Sequence, residues 1–163
     1  MGDEAMTLTG GCQCGAIRFA VEKPGGSGMC HCRMCQKAFG SFYAAMVTAP
    51  GLKWTRGEPK WFQSSNLVRR GFCPDCGTPI AYDAGEALEI AVAVFDDPEQ
   101  VAPTIQVNSN DKLSFVDELH NLPTRPAAES PEFFASLVSY QHPDHDTEGW
   151  VPHTGQEQGN THE

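Results

Sequence analysis

The alternation of apolar and polar positions along the chain predicts mostly short strands. From Ala16 to Val21, the residues Ile17, Phe19 and Val21 share one face and Arg18 takes the other, the pattern of a half-buried strand. Ser41 to Thr48 reads as a second strand, ended by the turn residues Pro50-Gly51. Leu52 to Arg56 and Lys60 to Gln63 predict a hairpin around Gly57-Glu58-Pro59, with Trp54, Trp61 and Phe62 assigned to the core or to cross-strand pairs. Leu67 to Phe72, Ile80 to Tyr82, Ala87 to Phe95 and Ile105 to Val107 are further strands, and Asp96-Asp97-Pro98 stops the third of these. Pro24 to Gly28 reads as a loop, and residues 33–39 have room for one or two helical turns. Ser130-Pro131-Glu132 has the form of a helix start, with Ser as N-cap and Pro at the first helical position. From Gln141 onward Gly, His, Pro, Gln and acids dominate, which predicts an irregular path that brings no core material. At 163 residues, one β-rich domain is expected.

Such short strands leave a modest core, and the seven cysteines change the picture. They fall in three clusters, Cys12-x-Cys14, Cys30-x-Cys32-x-x-Cys35 and Cys73-x-x-Cys76. A secreted disulfide framework has an even count and a signal sequence. The first residues lack a basic and an apolar region, and Met6 stands where myristoylation needs Ser or Thr, so a cytoplasmic protein is expected. The longest apolar stretch, Ala91 to Phe95, is too short to span a bilayer. A thioredoxin-like C-x-x-C would leave five cysteines unexplained. Tetrahedral zinc needs sulfurs about 3.7 Å apart, set by Zn–S bonds near ~2.3 Å, and neighbours two or three residues apart supply that.

Seven thiolates divide as four and three. Cys12 and Cys14, two apart just before a strand, can face one side. Cys73-Pro74-Asp75-Cys76-Gly77 has the form of a zinc knuckle, in which Gly77 permits a tight turn that aims backbone amides at sulfur. These four make a closed site of structural type. Cys30, Cys32 and Cys35 remain and fill three positions. Either the fourth stays open, as in catalytic sites, or a further protein ligand closes it, with His31, His120 or an acidic residue available.

Charge bears on partners. Residues 1–80 carry nine Lys or Arg against five Asp or Glu, and residues 81–163 carry two against sixteen. Two zinc ions and seven thiolates leave the first half near +1, by the arithmetic of about two charges per ion. A nucleic-acid-binding zinc ribbon keeps a basic face, so no nucleic-acid partner is expected.

Gly11-Cys12-Gln13-Cys14-Gly15-Ala16-Ile17, Cys30-His31-Cys32-Arg33-Met34-Cys35-Gln36-Lys37 and Phe72-Cys73-Pro74-Asp75-Cys76-Gly77-Thr78 together resemble the glutathione-dependent formaldehyde-activating enzyme family, which includes the centromere protein V type. Ala38-Phe39-Gly40-Ser41 and Phe95-Asp96-Asp97-Pro98 also look like family segments, and the resemblance runs over residues 8–123. It implies a mainly β fold of several small antiparallel sheets, stapled by a structural zinc on Cys12, Cys14, Cys73 and Cys76. It implies a second, reactive zinc on Cys30, Cys32 and Cys35, and a carbon–sulfur lyase joining glutathione to formaldehyde. On this reading residues 1–126 form the zinc-binding domain, and residues 127–163 a short helix and an acidic, irregular extension. The chain departs from the family pattern at Thr104-Ile105-Gln106-Val107 and Asn110-Asp111-Lys112-Leu113-Ser114-Phe115.

A thiol entering an open zinc position deprotonates, attacks a small aldehyde and, in reverse, is expelled. Three thiolates on Zn²⁺ already sum to about −1, which weakens the metal as a Lewis acid. Arg33 and Lys37, four apart beside the triad, are candidates for the carboxylates of a glutathione-like ligand, against a plain solvated face. Arg69 and Arg70 precede the knuckle, and strand alternation turns only one inward. Tyr43 and His31 are candidate proton donors. Three functions stay in view: a thiol-dependent lyase, a non-catalytic glutathione or zinc carrier, and a zinc-stapled interaction module.

Overall fold

The computed structural model describes residues 7–125 and 131–153. In chain order the strands and helices are β1 (Leu8–Gly11), β2 (Arg18–Val21), β3 (Ser27–Cys30), α1 (Arg33–Phe39), β4 (Ala44–Thr48), β5 (Lys53–Arg56) and β6 (Lys60–Gln63). They continue with β7 (Arg69–Phe72), β8 (Pro79–Asp83), β9 (Leu88–Ala91), β10 (Ile105–Val107) and α2 (Pro131–Ser136). The chain is mainly β, with two sheets: a three-stranded one in order β1-β2-β5 and a seven-stranded one in order β10-β3-β4-β9-β8-β7-β6. All pairings are antiparallel except β10 on β3.

The core gathers apolar faces from both sheets. Ile17, Phe19 and Val21 from the small sheet meet Val47, Ile80 and Ile90 from the large one. Phe19 sits edge-on to Trp54 at 6.1 Å and to Phe95 at 5.1 Å. Phe95 reaches it because β9 ends at Ala91 and a short 3-10 turn, Val92–Val94, redirects the chain, so the strand expected through Phe95 stops four residues early. A smaller cluster of Cys30, Cys35, Ala44 and Met46, flanked by Phe39 and Tyr82, lies around the cysteine triad.

The structure corrects three further expectations. β5 and β6 form no hairpin: Trp54 pairs with Phe19 across β2, and Trp61 pairs with Gly71 across β7. Pro59 has no N–H to give to a ladder, and the edge of β2 offers β5 an apolar partner in Phe19. Trp54 and Trp61 pack on the core, but Phe62 is exposed. The predicted loop Pro24 to Gly28 gives way to β3 from Ser27, whose hydroxyl donates to the Val101 carbonyl at 2.7 Å. Helix α2 begins at Pro131 as expected, while Ser130 lies outside the described residues.

The segment from Gln141 to His153 has no regular element, as its composition predicts, yet it does bring buried material. His142 is 4% exposed, and its amide donates to the Gln13 carbonyl at 2.8 Å. Trp150 Nε1 donates to the Cys14 carbonyl at 2.8 Å, and the His142 and Trp150 rings meet edge-on at 4.7 Å. Asp146 accepts two hydrogen bonds from the buried Arg18, which also makes a bidentate pair with Asp96 at 2.7 and 2.6 Å. Composition alone missed this docking because the contacts are polar and aromatic, with no apolar period to reveal them.

Candidate metal centres

Cys12 and Cys14 sit on the loop between β1 and β2, and Cys73 and Cys76 on the tight turn between β7 and β8. The Cys12 amide donates to the Ile17 carbonyl at 3.0 Å, and the Ile17 amide points at Cys12 Sγ from 3.2 Å. In the second turn the Gly77 amide donates to the Cys73 carbonyl at 2.9 Å, with Gly77 at φ +78°, a left-handed conformation that favours glycine. Gly15 is constrained twice: its φ is also +78°, and a Cβ there would collide with the His142 ring. Cys12 Sγ lies 3.6 Å from Cys14 Sγ, which lies 3.8 Å from Cys73 Sγ. Those separations match the edge of a ZnS₄ tetrahedron, about 3.7 Å. All four sulfurs gather within 4.8 Å of one another, so the cluster can hold a metal ion with four protein ligands.

The triad is local. Cys30 ends β3, Cys32 caps α1 and Cys35 lies in its first turn. Their sulfurs also fall within 4.8 Å of one another, and no His, Asp or Glu among the described residues joins them. His31 points elsewhere: it is fully buried, donating Nε2 to Gln106 Oε1 at 3.0 Å. Each triad sulfur has its own donor. The Cys35 amide reaches Cys32 Sγ at 3.4 Å, Asn108 Nδ2 reaches Cys30 Sγ at 3.2 Å, and Arg70 Nη2 reaches Cys35 Sγ at 3.5 Å. The Arg70 guanidinium would offset the charge that three thiolates leave on a divalent cation held there.

Protonation tells the same story in both clusters. Burial pushes Cys73 up to about 11 and raises Cys14, whereas Cys76, despite its own burial, is brought down to about 6 by the Thr78 hydroxyl at 3.1 Å and by backbone amides. In the triad, burial pushes Cys35 up to about 12 against the pull of Arg70. Cys30 is also buried, but the Cys32 amide and Asn108 outweigh that and hold it below the usual thiol value. Crowded thiols on their own divide in this way between thiolate and thiol, and a divalent cation would replace the remaining protons. The donor set is soft sulfur, which suits zinc among the common divalent ions.

The two clusters differ in access. A cavity of about 520 Å³ opens on the triad, lined by all three of its cysteines together with Arg70, Tyr82 and Glu89. Tyr82 and Glu89 are cross-strand neighbours on β8 and β9, and burial raises both above their ordinary pKa. Arg33 and Lys37 are exposed on α1 and border an outer groove that shares Met34, Ser64 and Arg70 with this cavity. Tyr43 borders a separate cavity of about 670 Å³ beside Cys12 and Cys76, so neither it nor His31 lines the triad cavity. The residues that sequence reasoning missed are Asn108, Tyr82 and Glu89, while Arg70 was named there only as one of two arginines of which one turns inward. Alternation along β7 announces an inward arginine without saying which, and Asn108 carries no signal because the pairing of β10 with β3 brings it to the triad from 78 positions away in the chain.

Comparison with known proteins completes the picture. No curated protein matches the chain. Among solved structures, a Rhodobacter sphaeroides protein determined as a structural-genomics target is similar, with a TM-score of 0.50 and 24% identity, covering 61% of this chain and 99% of its own. That likeness speaks for the fold. The profile of the family described as glutathione-dependent formaldehyde-activating enzyme matches residues 7–111. That span takes in both cysteine clusters and well over half of the sequence, and the chain therefore belongs to the glutathione-dependent formaldehyde-activating enzyme family.

Proposed function

We propose that this family member is a zinc-dependent carbon–sulfur lyase acting on the adduct of glutathione, or a similar thiol, with formaldehyde or another small aldehyde. One observation carries the proposal: three sulfurs, with no further protein ligand among the described residues, face a cavity large enough for a small thiol adduct. Zinc bound at Cys30, Cys32 and Cys35 would stabilise the thiolate form of an incoming thiol. A second zinc, on Cys12, Cys14, Cys73 and Cys76, serves the fold alone.

The chain's own residues supply the remaining chemistry. Asn108, Arg70 and the Cys35 amide hold the three sulfurs in place. Arg33 and Lys37, in the adjoining groove, receive carboxylates of the tripeptide. In the joining direction a sulfur lone pair attacks the carbonyl carbon, the C–S bond forms, and the C=O π pair moves onto oxygen, which takes up a proton. The reverse expels thiolate and cleaves the C–S bond. Asp111 and Glu89 both line the cavity; burial lets Glu89 retain its proton to higher pH than a surface glutamate, and it is the carboxyl assigned to that transfer. Residues 1–126 form the catalytic domain and residues 127–163 an extension to it. All seven cysteines are free thiols, in keeping with a reducing cytoplasm. Among the described residues no helix is long and apolar enough to cross a membrane.

The test is the rate of S-hydroxymethylglutathione formation from glutathione and formaldehyde, with wild-type protein and with Cys32→Ser. Acceleration by the wild type that the variant lacks supports the lyase. Ligation of glutathione with no acceleration over the protein-free rate makes the protein a carrier.

A further inference from the structure

Strand β7 sorts two adjacent arginines. Arg69 turns outward, pairing with Asp83 at 2.7 Å and lying 4.3 Å from the centre of the Trp61 ring. Arg70 turns inward and is 8% exposed. Its Nε donates to Ser64 Oγ at 3.2 Å, its Nη2 to Cys35 Sγ at 3.5 Å, and its guanidinium lies over Tyr82 at 5.1 Å. Nη1 is buried with no partner. A buried charged donor without an acceptor is costly, and such groups are rare in folded proteins. Offsetting the charge of the triad needs only the contact through Nη2, so Nη1 is left unexplained by that role.

We infer that Arg70 is a catalytic residue whose Nη1 donates to the oxygen of the aldehyde as it becomes an alkoxide. The inference rests on the lyase reading of the same site. The guanidinium is rigid and planar, so a donor beside Nη2 is fixed close to Cys35. In a thiol–aldehyde adduct the carbinol oxygen lies two bonds from the ligand sulfur. A ligand sulfur seated against the triad therefore brings that oxygen toward Arg70. The carboxylates of a tripeptide lie many bonds away, nearer the groove that Arg33 and Lys37 border. As the C–S bond forms, the π pair of the carbonyl moves onto this oxygen, and Nη1 meets the developing charge in a cavity partly closed to water. The proton then arrives at the oxygen, and Arg70 stays protonated throughout. In the cleaving direction the same donor stabilises the alkoxide just before thiolate departs.

The test uses the full-length, zinc-loaded chain with Arg70→Met and Arg70→Lys, after metal content and thermal melts establish that both are folded. Removal of one such donor typically costs about 100- to 1000-fold in turnover. Both variants are expected to lose adduct formation on that scale, and in Arg70→Lys, which keeps the positive charge beside the triad, glutathione affinity is expected to stay within about twofold, since the oxygen charge exists only in the transition state. A binding readout runs beside it. Thioglycolate carries an anionic oxygen near its sulfur and 2-mercaptoethanol a neutral one. Arg70→Met removes the charge balance at the triad for both thiols alike, so it is expected to weaken thioglycolate about tenfold more than 2-mercaptoethanol, the loss of one further charge-assisted hydrogen bond. Full activity in Arg70→Lys would reduce Arg70 to charge balance and overturn the inference. So would an equal loss of affinity for the two small thiols, or a loss of glutathione affinity in Arg70→Lys that accounts for its loss of rate. If the wild type itself fails to accelerate the reaction, the lyase reading fails, and the paired thiols still test whether Nη1 receives an anion beside the ligand sulfur.

Discussion

Cys12, Cys14, Cys73 and Cys76 come from two turns, with Cys14 and Cys73 59 positions apart, whereas Cys30, Cys32 and Cys35 lie on the end of one strand and the first turn of one helix. The first cluster joins the small sheet to the large one and is strapped from outside by His142 and Trp150. The second closes no long loop and faces a cavity whose other walls include Arg70, Tyr82 and Glu89. The same ligand chemistry thus serves two ends. Where the sulfurs come from distant turns and fill all four positions, a metal acts as a staple. Where they are local and number three, the fold is expected to stand without the metal, and on the proposed reading the fourth position is left to a ligand.

The largest effect should come from breaking the staple. Cys12→Ala or Cys76→Ala is expected to unfold the domain, because structural zinc contributes on the order of 10 kcal/mol in small metal-folded peptides. Circular dichroism melts read this directly, and a near-native melt would erase the distinction between the clusters. Cys30→Ser, Cys32→Ser or Cys35→Ser, by contrast, should leave a folded chain with one zinc fewer in native mass spectrometry. If all three collapse, the triad is a staple as well.

A smaller effect concerns the shell of the closed cluster. Burial pushes the Asp96 carboxyl up, but hydrogen bonds from Arg18 and Thr9 outweigh it and hold it below the usual range. A depressed carboxyl contributes its stability above the unfolded value and loses it as pH falls through the folded one. Asp96→Asn should therefore cost about 3 kcal/mol in urea at neutral pH, as for one partner of a buried pair. The same cost should persist at pH 5, above the unfolded value near ~4, and narrow only below it. Because Arg18 also holds Asp146 on the strap, the variant should also speed chelator extraction of zinc from the closed cluster and leave the triad's rate unchanged.

The clusters were legible in the sequence to different depths. Spacing and the glycine at position 77 carry nearly all of the closed site, since its sulfurs and its turn are local signals. The triad's cysteines were equally plain, but its surroundings were not. Asn108 arrives on a parallel strand paired through Cys30, and Glu89 through a cross-strand neighbour, and neither pairing leaves a mark in local periodicity. The Gly57-Glu58-Pro59 link looked like a hairpin turn because turn chemistry is local, whereas the choice of β2 and β7 as partners is tertiary. The strap over Gly15 escaped for the same reason, its contacts being single polar groups spread over an acidic tail.

The central claim, that the two clusters divide into a closed staple and an open thiol site, is tested most directly by cobalt substitution followed by titration with glutathione and with S-methylglutathione. The account predicts that glutathione alone changes the visible spectrum, by the amount expected for one new thiolate on one of two cobalt ions, and that Cys32→Ser abolishes the change. A spectrum that neither ligand moves, or that both move equally, would contradict it.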